Sequence, residues 1–147
     1  MTDKSWTPSL VEERMVEAAS VMKRLPAVRV PGYFNTWPKM KAEFGDLVGQ
    51  EPVPLRLPPP SPVAISRMEQ AMGWLTWLEP IDRKIVWMRA SGERWKTICW
   101  TVGLSRTAAN QHWLYALCVI AFRLNGRRLN RNHSKRHVIA QAESAKW

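Results

Sequence analysis

At 147 residues the chain has room for one domain with an arm and too little length for two full cores. Its formal charge of +10 is uneven: residues 1–50 carry a net +1 and residues 51–147 a net +9, which points the C-terminal half towards a polyanion, nucleic acid before membrane. The two cysteines, Cys99 and Cys118, have no CxxC or Cys/His ligand spacing, Met1 to Thr7 is polar with no apolar stretch behind it, and no run is long enough to span a bilayer; these features argue against a metal module, a secreted disulfide scaffold and a membrane protein. The expectation is a cytoplasmic, nucleoid-associated chain with both thiols reduced. Nine tryptophans form a heavy aromatic payload, six of them (Trp74, Trp77, Trp87, Trp95, Trp100, Trp113) within forty positions, and most are expected in the core.

Taken in order, Trp6-Thr7-Pro8 supplies a hydrophobic staple, a cap and a first-turn proline, which predicts a helix to about Leu25. Leu10, Val11, Met15, Ala18, Ala19 and Met22 form its apolar face, with acids early and bases late, and Pro26 ends it. Residues 26–62 hold nine of the eleven prolines and read as an extended arm. The rings of Tyr33, Phe34 and Trp37 suggest that its first part lies on the domain; a helical turn fits residues 39–44, and Pro52 to Pro60 reads as a polyproline spacer or a ligand for another protein. Ser61-Pro62 repeats the cap-then-proline signal and starts a second helix to about Trp77, with Ile65, Met68, Ala71, Met72 and Leu75 inward. After Leu78-Glu79-Pro80, a third helix from Ile81 to Ala90 turns Ile85, Val86 and Met88 inward and leaves Arg83, Lys84 and Arg89 outside.

The stretch from Arg94 to Leu124 reads as a helix-turn-helix. Gly103 can take the left-handed conformation that ends a helix, Leu104 plugs the angle, and Ser105 can cap the next helix. That helix buries Ala109, Trp113, Ala116, Leu117, Ile120 and Leu124, leaving Arg106, Thr107, Asn110 and Gln111 on the open side of its first turns. These are donors and acceptors of the kind that base edges and phosphates take, at the end of the helix that such motifs present to the major groove. Arg94 and Lys96 open the first helix of the pair, where phosphate contacts are common. Asn125-Gly126 closes the last helix, and a basic tail with Arg127, Arg128, Arg131, Lys135 and Arg136 follows, suited to tracking a DNA backbone. A final short helix fits Val138 to Trp147. The organisation expected is an N-terminal helix with a Pro-rich arm (1–60), a DNA-binding domain (61–126) and a basic tail (127–147) in an all-α fold.

The run from Leu78 to Leu124, with Asp82-Arg83 following a proline, resembles region 4 of bacterial sigma factors. Arg24-Leu25-Pro26, Tyr33 with Trp37-Pro38, Ser61-Pro62 with Ile65 and Met68, Trp74 to Leu78, Arg83 to Ala90, Arg94-Trp95-Lys96 and Leu124-Asn125 resemble a family of alphaproteobacteria and their phages. That family is similar to the N-terminal part of the transcription activator of gene transfer agents. The resemblance implies promoter binding together with a sigma-like protein partner and RNA polymerase.

Catalysis finds little support: the carboxylates are scattered, no nucleophile sits near a histidine in a known pattern, and there is no Gly-rich phosphate loop. His112, His133 and His137 lack partners at metal spacing, so no metal or cofactor is expected. The candidate DNA contacts are Arg94, Lys96, Ser105, Arg106, Thr107, Asn110, Gln111, Arg127, Arg128 and Arg131. The competing expectation is a packaging adaptor of the small-terminase kind, or an interaction module with non-specific DNA binding.

Overall fold

The computed structural model describes residues 5–26, 57–130 and 132–147, which form six α-helices and no strand. The expectations for Tyr33, Phe34, Trp37, residues 39–44, most of the polyproline stretch and Arg131 lie outside the described residues. The helices are α1 (Pro8–Arg24), α2 (Pro62–Leu75), α3 (Pro80–Ala90), α4 (Trp95–Val102), α5 (Arg106–Leu124) and α6 (Lys135–Ser144).

Helix starts follow the local chemistry of the chain. Thr7, Ser61, Ser105 and Ser134 each accept a bond from the amide three residues on, which satisfies one of the orphan donors of a first turn. Proline takes the first helical position in α1, α2 and α3, where it has no amide to lose. Leu25 leaves α1 in an extended conformation, as the ring of Pro26 requires of its predecessor. Between α4 and α5, Gly103 sits at φ 71°, the left-handed conformation a tight helix exit needs.

The main core joins α1, α2, α3 and α5 through Val11, Met15, Val21, Met68, Trp74, Leu78, Val86, Leu117 and Ile120. Each such side chain contributes about 1.5–3 kcal/mol by leaving water. On α1 the inward position near the end is Val21 rather than Met22, which is 38% exposed. Val21 follows Ala18 by three positions, on the same inward face of α1, whereas Met22 lies one position, about 100°, further round. Trp6 meets Trp74 edge to face at 5.1 Å, while the Asn125 side chain accepts from the Trp6 amide and donates to its carbonyl. These bonds fasten the start of α1 to the end of α5.

A second, smaller cluster lies on the other side of α5. Cys118 and Phe122 face Val138 and Ala142 of α6, and Trp147 closes over Phe122 with ring centroids 5.0 Å apart. The helix allowed by the sequence at 138–147 therefore begins at Lys135, and it is packed. α5 is thus apolar on two sides, and Cys118, Ala121 and Phe122 are buried beside the expected stripe. Burial lifts the Cys118 thiol from its ordinary 9.0 to about 11, with Glu143 adding to the shift.

Two charged residues of α3 do structural work. The Arg83 guanidinium turns back to donate to the carbonyls of Leu75 and Leu78, satisfying the end of α2. Asp82 is 3% exposed and lies 2.6 Å from His112 Nδ1 on α5, with Lys135 Nζ of α6 against the same imidazole. Among the described residues no helix is long and apolar enough to cross a membrane.

Candidate nucleic-acid interface

α4 and α5 are joined by three residues, Gly103, Leu104 and Ser105, and both rest on α3. The inner face of α4 is fixed by Ile98, which is fully buried, and by Trp95, which meets Trp113 of α5 edge to face at 5.7 Å. Because α5 is packed mainly along its C-terminal two thirds, its first turn projects: Arg106 and Thr107 are exposed, and Asn110 and Gln111 are half-buried one turn further in.

The guanidinium of Arg106 lies 5.1 Å from the centre of the Trp95 ring, and that of Arg89 lies 5.1 Å from the same ring. An indole face attracts a cation, so the stack holds two positive charges at the mouth of the α4–α5 angle with much of their hydrogen-bonding capacity unused. Arg94 is exposed at the N-cap of α4, and no side chain caps that helix. Lys96 is exposed one turn before Trp100. Ser105 is exposed, with its hydroxyl accepting from the Ala108 amide at 3.2 Å. Lys96, Ser105 and Arg106 thus line one groove, Arg94 precedes the Trp95 ring on which Arg106 rests, and Thr107, Asn110 and Gln111 lie on the first turns of α5.

Arg127 and Arg128 do not join them. They follow α5, whose nineteen residues span about 28 Å at 1.5 Å per residue, so they stand at the far end of the helix from Arg106. Arg127 sits against the rings of Phe122 and Trp147, at 5.9 and 5.8 Å, and Arg123 stacks on Trp77 at 4.5 Å. With Arg128, Leu129, Val119 and Tyr115 they line an open hollow of about 960 Å³ beside the α2–α3 corner. The Tyr115 hydroxyl there is pushed up by burial, with the carboxylates of Asp82 and Glu79 adding to the shift.

The structure also places residues that spacing alone left elsewhere. Trp95 and Arg89 complete the Arg106 stack, although the first is a core residue by pattern and the second a solvated one. Trp100 is not in the core at all: it is 89% exposed and lines a groove of about 690 Å³ with Leu104, Cys99, Lys96 and Arg106. Winding decides this, since Trp100 lies two residues, about 200°, from the buried Ile98. His112 is a partner of Asp82. Among the described residues no three His, Cys, Asp or Glu side chains gather as a metal cluster would.

No curated protein and no solved structure matches the chain. A family match covers residues 23–120, more than half of the chain, and it takes in α2, α3, α4 and the first turns of α5 while stopping short of Arg127 and α6. The chain belongs to this family, described as a domain of unknown function (DUF6362).

Proposed function

We propose that this protein binds double-stranded DNA through a helix-turn-helix formed by α4 and α5, in the manner of sigma region 4, and that it acts as a promoter-binding activator of phage-like genes. The observation that carries the DNA-binding reading is the projecting first turn of α5. There Arg106 and Thr107 are exposed, Asn110 and Gln111 follow on the next turn, and Arg94 and Lys96 flank them from α4. A guanidinium or amide on such a turn can pair bidentately with guanine or adenine in a major groove, while flanking cations fix the register on phosphates. The Trp95 stack supports this by holding the Arg106 side chain before any ligand arrives, which lowers the ordering cost of binding. The resemblance to the gene transfer agent activator family supplies the rest of the proposal: a sigma-like partner, RNA polymerase and a place in the cytoplasmic nucleoid.

The test has two parts. Affinities of the wild type, Arg106→Ala and Asn110→Ala for a promoter duplex and a scrambled duplex, at one salt concentration, separate base reading from phosphate contact. A base-reading residue costs about 1–3 kcal/mol of discrimination, whereas a phosphate contact weakens both duplexes alike. If neither variant changes either affinity, α5 is not the reader. Chromatin immunoprecipitation from the native host tests the activator role. Occupancy at a few promoters is expected, and even coverage of the chromosome would replace the activator with a packaging or coating protein.

A further inference from the structure

Trp100, at 89% exposure, stands in the open groove between α4 and the start of α5. The groove has an apolar floor, Cys99 and Leu104 with the Trp100 ring, and a cationic rim, Lys96 and Arg106; no carboxylate lines it. It shares Lys96, Ser105 and Arg106 with the proposed reading end, while its Trp100 ring stands on a different side of α4 from Trp95. Arg106 is drawn towards Trp95, and Trp100 is five residues further along α4, about 140° around the helix and ~7.5 Å along its axis.

Three occupants can be weighed against that chemistry. A phosphodiester strand brings charge but little apolar surface, and would leave the indole and Leu104 in water. A second copy of this chain, docked about a two-fold axis, would set Lys96 and Arg106 against the same cations of its partner. A protein segment with apolar side chains flanked by carboxylates, such as one face of an acidic amphipathic helix, satisfies both floor and rim. We infer that the Trp100 groove docks an acidic, apolar-faced helix of a protein partner. Its setting rests on the proposed DNA-binding function, because a partner seated there would stand at the edge of the duplex that α5 reads and share Lys96 and Arg106 with it. Tryptophan is among the side chains that most often carry an interface's binding energy once a partner buries them.

The full chain labelled with 5-fluorotryptophan gives one fluorine resonance per tryptophan, and Trp95→Phe and Trp100→Phe assign the two that matter. The probes are an amphipathic peptide of Glu and Leu at helical spacing, a Glu/Ser peptide of equal charge, and a promoter duplex. The Glu/Leu peptide is expected to move the Trp100 resonance, with affinity lost about tenfold or more in Trp100→Ala. The duplex is expected to move Trp95 and leave Trp100 in place. Movement of Trp100 by the duplex would make the groove a DNA contact, and equal movement by the Glu/Ser peptide would reduce it to bare charge attraction. Movement with protein concentration alone would make it a self-association surface. Each of these, or no response to either peptide, overturns the inference. A duplex that moves neither resonance while the Glu/Leu peptide still moves Trp100 would defeat the DNA-reading proposal and leave the docking groove standing.

Discussion

Replacing His112 by leucine should destabilise the protein far more than its position on a half-buried face suggests. The Asp82 carboxylate is 3% exposed and takes the His112 Nδ1–H at 2.6 Å, while Lys135 Nζ lies against the same imidazole, 2.8 Å from Nδ1 and 3.1 Å from Nε2. His112→Leu leaves that carboxylate without its main donor. Breaking a buried pair costs roughly 3–5 kcal/mol, and the 21% exposure of the His112 side chain puts the expected loss near the lower figure, about 3 kcal/mol. Asp82→Leu removes the buried charge itself and orphans only the partly wet imidazole, so it should cost about 1–2 kcal/mol, including the favourable position of Asp82 in the first turn of α3. The double variant leaves no buried carboxylate, only the half-buried Lys135 ammonium without its imidazole, and should cost about as much as Asp82→Leu alone. The two sites should therefore couple by about 3 kcal/mol. Urea unfolding reads this directly: at a slope of about 2 kcal/mol/M, His112→Leu should lower the midpoint by about 1.5 M with the slope unchanged. Additive single effects, or a His112→Leu loss below about 0.5 kcal/mol, would refute the claim that this contact ties α3 to α5.

Three further outcomes follow from local geometry. Gly103→Ala should cost about 1–2 kcal/mol in the same urea assay through backbone conformation alone, since φ is 71° and a Cβ there meets nothing within 4 Å. In native protein near neutral pH, a thiol reagent should titrate half-buried Cys99 and spare Cys118. Stability should also fall as pH rises from 9.0 towards about 11, because the Cys118 thiol ionises freely in the unfolded chain while burial keeps it protonated in the folded one; Cys118→Ala should flatten that part of an alkaline unfolding titration. If only Arg94, Lys96 and Arg106 meet phosphates, the log–log salt slope of DNA affinity should be near −2.7, at about −0.9 per contact, and unchanged by Arg127→Ala/Arg128→Ala. A slope near −4.5 that this double variant relaxes would bring the far end of α5 into the interface.

What the sequence makes legible is chiefly local. The caps at Thr7, Ser61 and Ser105, the prolines behind the first two and the glycine at 103 are each set by one or two residues, and the helices begin or end where those signals fall. The exposure of Arg106 and Thr107 on the first turn of α5 is likewise legible from winding against Ala109, Ala116 and Leu117, whereas Asn110 and Gln111, expected on the open side, are half-buried. The contacts that depend on distant partners are not. Asp82 and His112 are thirty positions apart, and neither carries a mark that distinguishes a buried carboxylate from a solvated one. α6 offers only Val138 and Ala142 as fully buried positions, too few for a strong period; it packs because Cys118 and Phe122 open a second apolar side on α5. Trp100 misleads for a different reason: tryptophan is usually read as core, and here helix winding opposes that habit.

The double burial of α5 bears on function as well as on folding. Its C-terminal part is held between the main core and α6, so its axis is fixed by contacts that no ligand at Arg106 needs to touch. The projecting first turn then depends on two braces nearer to it: the Asp82–His112 contact at mid-helix and the Trp95–Trp113 contact behind the Arg106 stack. A substitution at either brace can therefore alter presentation of Arg106 and Asn110 while leaving those side chains intact. If α5 reads DNA as proposed, loss of affinity in such variants divides between misplaced readers and lost stability. The division is possible because the two braces act from opposite partners: Asp82 and Lys135 reach α5 from α3 and α6, whereas Trp95 reaches it from α4, the helix that also carries Lys96 and Trp100. A fault in the first brace should reach the core and appear in unfolding. A fault in the second should stay at the α4–α5 angle and appear in binding before it appears in stability.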